Sequence, residues 1–311
     1  MTATKNDKKT LSPIAVFAYN RPEHTREMLL NLQQCEGFKQ SPLFVFCDGP
    51  KTEESEVSVQ KVRCIVHELV GSHATIVESP VNKGLANSIV HGVTKLCEEH
   101  GRVIVLEDDL IVSPVFLNFM NSALDKYEDS EQVFQISGHM FNVDIIGESD
   151  TALFLPLTSS WGWATWSRAW RGFDEQAKDW VDLKNTELRK SFNVGGVFDY
   201  YAMLKRQMQG KSDSWAIRWY WSVFKHNGLV LFPPYSLVNN IGFDGSGTNG
   251  WRSAKSVAQD KRLADELILL PDEVRVEPEA FNLVRYELAK MNPGIFAYFR
   301  FFKDKVLSVF R

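Results

Sequence analysis

The chain has 311 residues, 44% of them hydrophobic and 24% charged, with 35 basic and 39 acidic side chains for a net charge of −4. That length supports one large domain or two small ones around a sizeable core. The composition is that of an ordinary globular chain, and the slight negative charge gives no global argument for a nucleic-acid partner. No window holds eighteen uninterrupted apolar residues, so no transmembrane helix is predicted. The first ten residues are polar, carry three lysines and lack the apolar stretch of a signal peptide. Cys35, Cys47, Cys64 and Cys97 have no metal-binding spacing and read as reduced, packed thiols of a cytoplasmic protein.

Residues 13–18 read as a strand and lead into Tyr19-Asn20-Arg21-Pro22. Pro22 opens a helix over 23–34, with Met28, Leu29 and Leu32 on one face. Residues 43–47 form a second strand, ending at Asp48-Gly49-Pro50, and 57–69 a second helix. A third strand, 74–78, is closed by Ser79-Pro80. The turn Asn82-Lys83-Gly84 then opens a helix over 85–99 that Gly101 ends. A fourth strand, 103–106, is apolar and β-branched and runs straight into Glu107, Asp108 and Asp109. A helix over 114–127 and a strand over 133–136 follow. This alternation predicts an α/β fold: a doubly wound, mostly parallel sheet with helices on both faces.

In such a sheet four successive strand exits share one edge, where ligands bind. Three adjacent carboxylates repel one another and are costly to desolvate unless a cation or donors compensate. A divalent metal gripping a diphosphate would compensate; a solvated acidic turn is the alternative. Asp48 either accepts from a base N–H or makes an ordinary Asp-Gly turn. Arg21 pairs with phosphate, stacks on a base, or is a surface residue. Asn82-Lys83-Gly84 either aims backbone amides at an anion or simply starts a helix.

Past residue 150 the alternation fades. Trp161, Trp163, Trp166 and Trp170 form an aromatic block whose spacings of three and four suit either a helix's apolar stripe or a wall for sugar C–H faces. A helical stretch over 197–209, Asp213-Ser214-Trp215, a strand over 229–232 and a glycine-rich loop over 242–250 follow. The stretch 239–249 reads as a lid over the diphosphate or as a surface connection. His139 and His226 read as structural histidines. Residues 293–311 mix phenylalanines with basic residues, as an amphipathic helix at a membrane interface or a closing helix packed on the domain would.

Taken together, Asn20-Arg21-Pro22, Asp48-Gly49-Pro50, Asn82-Lys83-Gly84 and Glu107-Asp108-Asp109 resemble the motifs of the GT-A glycosyltransferases. The acidic triplet looks like the form found in the N-acetylglucosaminyltransferase I family and related bacterial sugar transferases. Trp161-Gly162-Trp163 is similar to that family's acceptor-side element, and Asp213-Ser214-Trp215 to its element carrying the base. The resemblance spans roughly residues 12–250, tightly in the first half and loosely in the second. It implies a GT-A, Rossmann-like sheet with a tryptophan-rich acceptor-side lobe.

By the same resemblance Asp109 would ligate Mn²⁺ or Mg²⁺, Asp108 would lie near the ribose and Glu107 near the donor sugar. Ala18, Arg21, Asp48 and Lys83 would complete the nucleotide and donor site, with Asp48 reading the base. Trp161 and Trp163 would line the acceptor. Asp213 would be the general base, but a serine stands between it and Trp215, which leaves Asp174, Glu175 and Asp244 as alternatives. No histidine follows Thr248 to complete the metal site. The chain would divide into a disordered stretch at 1–11, a nucleotide-sugar-binding half at 12–150, an acceptor-binding half at 151–255 and a C-terminal helical segment at 256–311, these being lobes of one domain. The implied activity is metal-dependent, inverting transfer from a nucleotide-sugar, with uracil as the expected base, to a glycan or lipid-linked hydroxyl in surface polysaccharide or glycolipid assembly. The protein would be cytoplasmic, at the inner face of the membrane if the C-terminal helix docks there, with no nucleic-acid partner. Two other readings stay open: a non-catalytic sugar-binding scaffold, and a sugar nucleotidyltransferase, whose glycine-rich loop Tyr19-Asn20-Arg21-Pro22 does not match.

Overall fold

A computed structural model describes residues 11–143, 150–244 and 267–291. The strands of the first half are β1 (Ile14–Ala18), β2 (Leu43–Cys47), β3 (Ala74–Glu78) and β4 (Arg102–Glu107). All four run parallel, in the order β3-β2-β1-β4. Each residue of β1 is buried, as a strand covered on both faces requires. The covering helices are α1 (Pro22–Leu32), α2 (Glu53–Val70) and α3 (Leu85–His100). Right-handed crossovers put α1 and α2 on one face. The chain then reverses direction across the sheet between β3 and β4, which places α3 on the other face. There Gly92 of α3 packs directly on β1 and β2: a Cβ at that position would lie 2.7 Å from the Phe17 ring. That reversal makes the gap between the ends of β1 and β4 the topological switch point of the sheet.

The second half completes the same sheet. After β5 (Leu110–Val112), α4 (Phe116–Lys126), β6 (Val133–Ser137) and β7 (Leu153–Leu155) comes β8 (Trp163–Trp166), then the single-turn α5 (Ser167–Trp170). The helices α6 (Thr186–Phe192), α7 (Tyr200–Met208) and α8 (Trp215–Lys225) precede β9 (Leu229–Phe232), β10 (Val238–Asn240) and α9 (Pro278–Met291). The sheet order continues from β4 as β8-β6-β9-β7, with β8 antiparallel to both β4 and β6. A separate antiparallel ribbon joins β10 to β5. The expected α/β sheet is therefore present, with antiparallel β8 inside a mostly parallel frame and antiparallel β7 at its edge.

Trp163 and Trp166 belong to β8 and not to a helix stripe. Trp163 is fully buried, stacked on Trp215 at 5.0 Å and flanked by Trp170 and Trp219. Three nearby indoles have a polar partner: Trp166 Nε1 donates to Leu124 O, Trp170 to Thr94 Oγ1, and Trp219 to Gln135 Oε1 at 2.7 Å, whereas Trp163 Nε1 is buried without one. This aromatic packing is core.

Burial drives the thiols of Cys35, Cys47 and Cys97 up to about 12, so they are inert. Cys64 differs from expectation and is exposed on α2. No helix among the described residues is long and apolar enough to cross a membrane. The expected interfacial helix at 293–311 lies outside the described residues, as do residues 1–10.

Candidate active site

The exits of β1, β2 and β4 converge on one edge. Beyond β1, the Arg21 guanidinium bridges the two aspartates that follow β4. Its Nη2 donates to Asp108 Oδ1, and its Nη1 lies 2.9 Å from Asp109 Oδ2. The Tyr19 amide donates to Asp108 Oδ2 at 3.3 Å. Burial works against the Arg21 charge, but the two aspartates outweigh it and raise its pKa. Burial also raises the Asp108 carboxyl, and Arg21 opposes that rise. Glu107 is pushed up to about 8, by burial first and then by the Asp109 and Asp108 charges. An acidic cluster in this setting needs positive charge, and Arg21 supplies one such charge.

Asp109 is buried, and its Oδ1 is among the buried side-chain atoms of the described residues that lack a hydrogen-bond partner, as Ser12 Oγ and Trp163 Nε1 are. Above the pair sits Gly242, delivered by the β5–β10 ribbon: Ile241 N donates to Asp109 O at 2.9 Å, and Gly242 N donates to Asn240 Oδ1 at 2.8 Å. A Cβ on Gly242 would lie 2.2 Å from Asp109 Oδ2 and 2.8 Å from Arg21 Nη1, so a side chain there would have to displace that carboxylate and guanidinium. A carboxylate oxygen with open lone pairs, at a switch point and beneath bare backbone, fits one coordination position of a hard divalent cation. Among the described residues no group of three or more His, Cys, Asp or Glu has a metal-holding arrangement.

Asp48 is held differently. Its Oδ1 accepts from Gly49 N at 2.9 Å and Lys83 N at 2.8 Å, and its Oδ2 accepts from Gly84 N at 3.0 Å. Its own amide donates to Ala18 O at 2.9 Å. The carboxylate thus pins the start of α3 to the end of β2, and Asn82 reinforces the junction by donating to Gly49 O. Lys83 enters the site through its backbone; its side chain is exposed. The amides of Lys83 and Gly84 are consumed by Asp48 rather than left for an anion.

Asp213 precedes Ser214, the N-cap of α8, and its carboxylate faces Gly84: its Oδ2 lies 3.6 Å from a Cβ built there. The side chain is 61% exposed and sits 3.6 Å from the buried Arg218. Of the alternatives, Asp174 accepts from Lys178 N at 2.6 Å and lies 3.8 Å from Lys225, while Glu175 shares Arg218 at 3.9 Å. The Asp244 side chain lies outside the described residues, as does the rest of the glycine-rich loop from 245 on.

Trp161 is half-buried and stands beside Phe243, with ring centroids 5.5 Å apart. Trp163 is corrected: with its ring fully buried it presents no face to an acceptor. Sequence reading assigned Tyr19 no role of its own and placed Gly242 and Phe243 only within the glycine-rich loop. Only the glycine in a loop gave a signal, and it did not reveal what the glycine touches.

No family model matches the sequence. The fold is similar to that of a mannosyltransferase from Pyrobaculum calidifontis in complex with GDP-Man and Mn²⁺, at 14% identity over 50% of this chain and 45% of that one, with a TM-score of 0.33. It is similar to galactosyltransferase LgtC in complex with donor and acceptor sugar analogs, at 12% identity over 70% and 72% of the chains, TM-score 0.39. It is also similar to mouse xyloside xylosyltransferase 1, at 12% identity over 70% and 83%, TM-score 0.36.

Proposed function

We propose that the protein is a metal-dependent GT-A glycosyltransferase that transfers a sugar from a nucleotide-sugar, with UDP the favoured carrier, to a hydroxyl of a glycan or lipid-linked acceptor. The observation that carries this reading is the partnerless, buried Oδ1 of Asp109 at the switch point, beside Arg21 and under Gly242. Mn²⁺ or Mg²⁺ bound there would stabilise the negative charge growing on the departing diphosphate.

The chain's own groups do the rest. Arg21 is assigned to a phosphate oxygen, for which it would exchange one of its two carboxylate partners. Asp108, immobilised by Tyr19 N and Arg21, is assigned to a ribose hydroxyl. Glu107 is assigned to the donor sugar. With three amides already donating to it, Asp48 has one lone pair left on Oδ2 for a base N–H. Asp213, next to the Lys83-Gly84 turn, is assigned as the base that takes the acceptor proton, which suits inversion. Surface polysaccharide or glycolipid assembly is the proposed setting.

Calorimetric titration of UDP with and without Mn²⁺ tests the reading. UDP is expected to bind tightly only with Mn²⁺, and Asp109→Ala to lose roughly 100-fold in that affinity. UDP affinity indifferent both to Mn²⁺ and to Asp109→Ala would sink it. A screen of nucleotide-sugars, read as hydrolysis or transfer, then identifies the donor.

A further inference from the structure

The carboxyl edge continues past Asp109 into an aromatic wall. Phe243 directly follows the glycine seated on Asp109, and its ring lies 5.5 Å from Trp161. Trp161 meets the His139 imidazole at 4.5 Å, edge to face, and Phe141 closes on that imidazole at 5.3 Å. All four side chains are half-buried, whereas Trp163, two residues past Trp161, is sealed in the core. Because β4 and β6 are both antiparallel to β8, they are parallel to each other. His139 therefore leaves β6 at the same edge where Asp109 leaves β4. Trp161 enters β8 at that edge too.

The neighbour of His139 determines which ring nitrogen carries the hydrogen. Ser236 Oγ gives its single hydrogen to Val238 O at 2.7 Å. It can then only accept at His139 Nδ1, 3.3 Å away, so Nδ1 bears the hydrogen. Nε2 keeps its lone pair, and among the described residues it has no hydrogen-bond partner. Burial drives the imidazole down to about 3, so the ring is neutral across the physiological range. A neutral acceptor nitrogen set among rings does not suit a phosphate, which calls for cations. It suits a ligand with hydroxyls on its rim and apolar C–H faces, which is the chemistry of a pyranose.

We infer that His139, Trp161 and Phe243 form a pyranose subsite, in which a C–H face of the sugar packs on Trp161 and a sugar hydroxyl donates to His139 Nε2. The inference rests on the transfer reading above and extends it, by naming a histidine that recognises the sugar and the direction of its hydrogen bond.

The test uses the full chain with ¹⁵N-labelled histidine. UDP with Mn²⁺ is added first, followed by the methyl β-glycosides of glucose, galactose, mannose and N-acetylglucosamine. At least one glycoside is expected to move the His139 Nε2 resonance while leaving that of His226 in place. His139→Phe keeps a ring and lacks the lone pair. It is expected to bind that glycoside roughly fivefold more weakly, as loss of one neutral hydrogen bond predicts, with UDP affinity unchanged. Trp161→Ala supplies a second variant, with the same direction expected, should the phenylalanine variant fail to fold. An unmoved His139 resonance with all four glycosides, or undiminished glycoside affinity in the variant, overturns the inference. Absence of UDP binding instead counts against the transfer reading alone, since the His139 response to glycosides is read separately.

Discussion

On the β1–β2–β4 side of the carboxyl edge, charge is answered by charge or by backbone. Asp48 takes three amides, and Asp108 takes Arg21 and Tyr19 N. On the β6–β8 side the same edge is built of rings, and burial keeps the His139 imidazole among them neutral. One rim thus offers directional polar groups on one side and apolar ring faces on the other. The polar side is preorganised by directional bonds that a substitution breaks outright, while the aromatic side is shaped by packing and divides sharply into core and surface within two residues.

Trp161 and Trp163 give the largest contrast. Trp163→Ala is expected to cost about 3–5 kcal/mol in denaturant unfolding, as removal of a core indole does. Trp161→Ala is expected to stay within about 1 kcal/mol of the parent, since its ring is half-buried. Equal costs would erase the boundary between core and wall. Next comes Asp48→Ala, which strands three amides and is expected to destabilise by about 3 kcal/mol. A change below about 0.5 kcal/mol would show that the pin on α3 holds nothing in place. Gly242→Val drives a side chain into Asp109 and Arg21. About 2 kcal/mol of lost stability is expected, together with loss of Mn²⁺-dependent UDP binding in the same titration.

The smallest effect concerns pH. The folded His139 titrates far below its ordinary value of 6.5, so below that pH the unfolded chain takes up a proton that the folded chain refuses. Its contribution is fully present above about pH 6.5 and drains away as pH falls toward about 3. Between pH 6 and pH 5 the parent is expected to lose about 1 kcal/mol more than His139→Phe, measured by urea unfolding. Parallel pH curves for the two proteins would contradict a neutral, enclosed imidazole.

The α/β frame was legible because period and punctuation agreed: the bounds read for β2, β3 and β9 match the strands observed. That Arg21 and the acids after β4 lie together followed from one rule, that parallel strands share a carboxyl edge. The rest depended on contacts distant in sequence. Spacings of three and four among Trp163, Trp166 and Trp170 mimic a helix stripe, yet the first two lie on a strand held between β4 and β6. Nothing local marks Asp48 as an acceptor for amides 35 and 36 residues away. Gly242 announces a loop but not the carboxylate beneath it.

The insertion of β8 has a practical consequence. This strand arrives from beyond residue 150, yet it covers the flank of β4, whose residues Val103 to Leu106 are all buried. Cutting the chain near 150 would leave the first fragment with a bare apolar border, a template for self-association. Two such pieces should stay in solution only when produced together, each serving as the other's chaperone. The molecule is accordingly a candidate for a split reporter whose signal depends on reassembly of a single sheet.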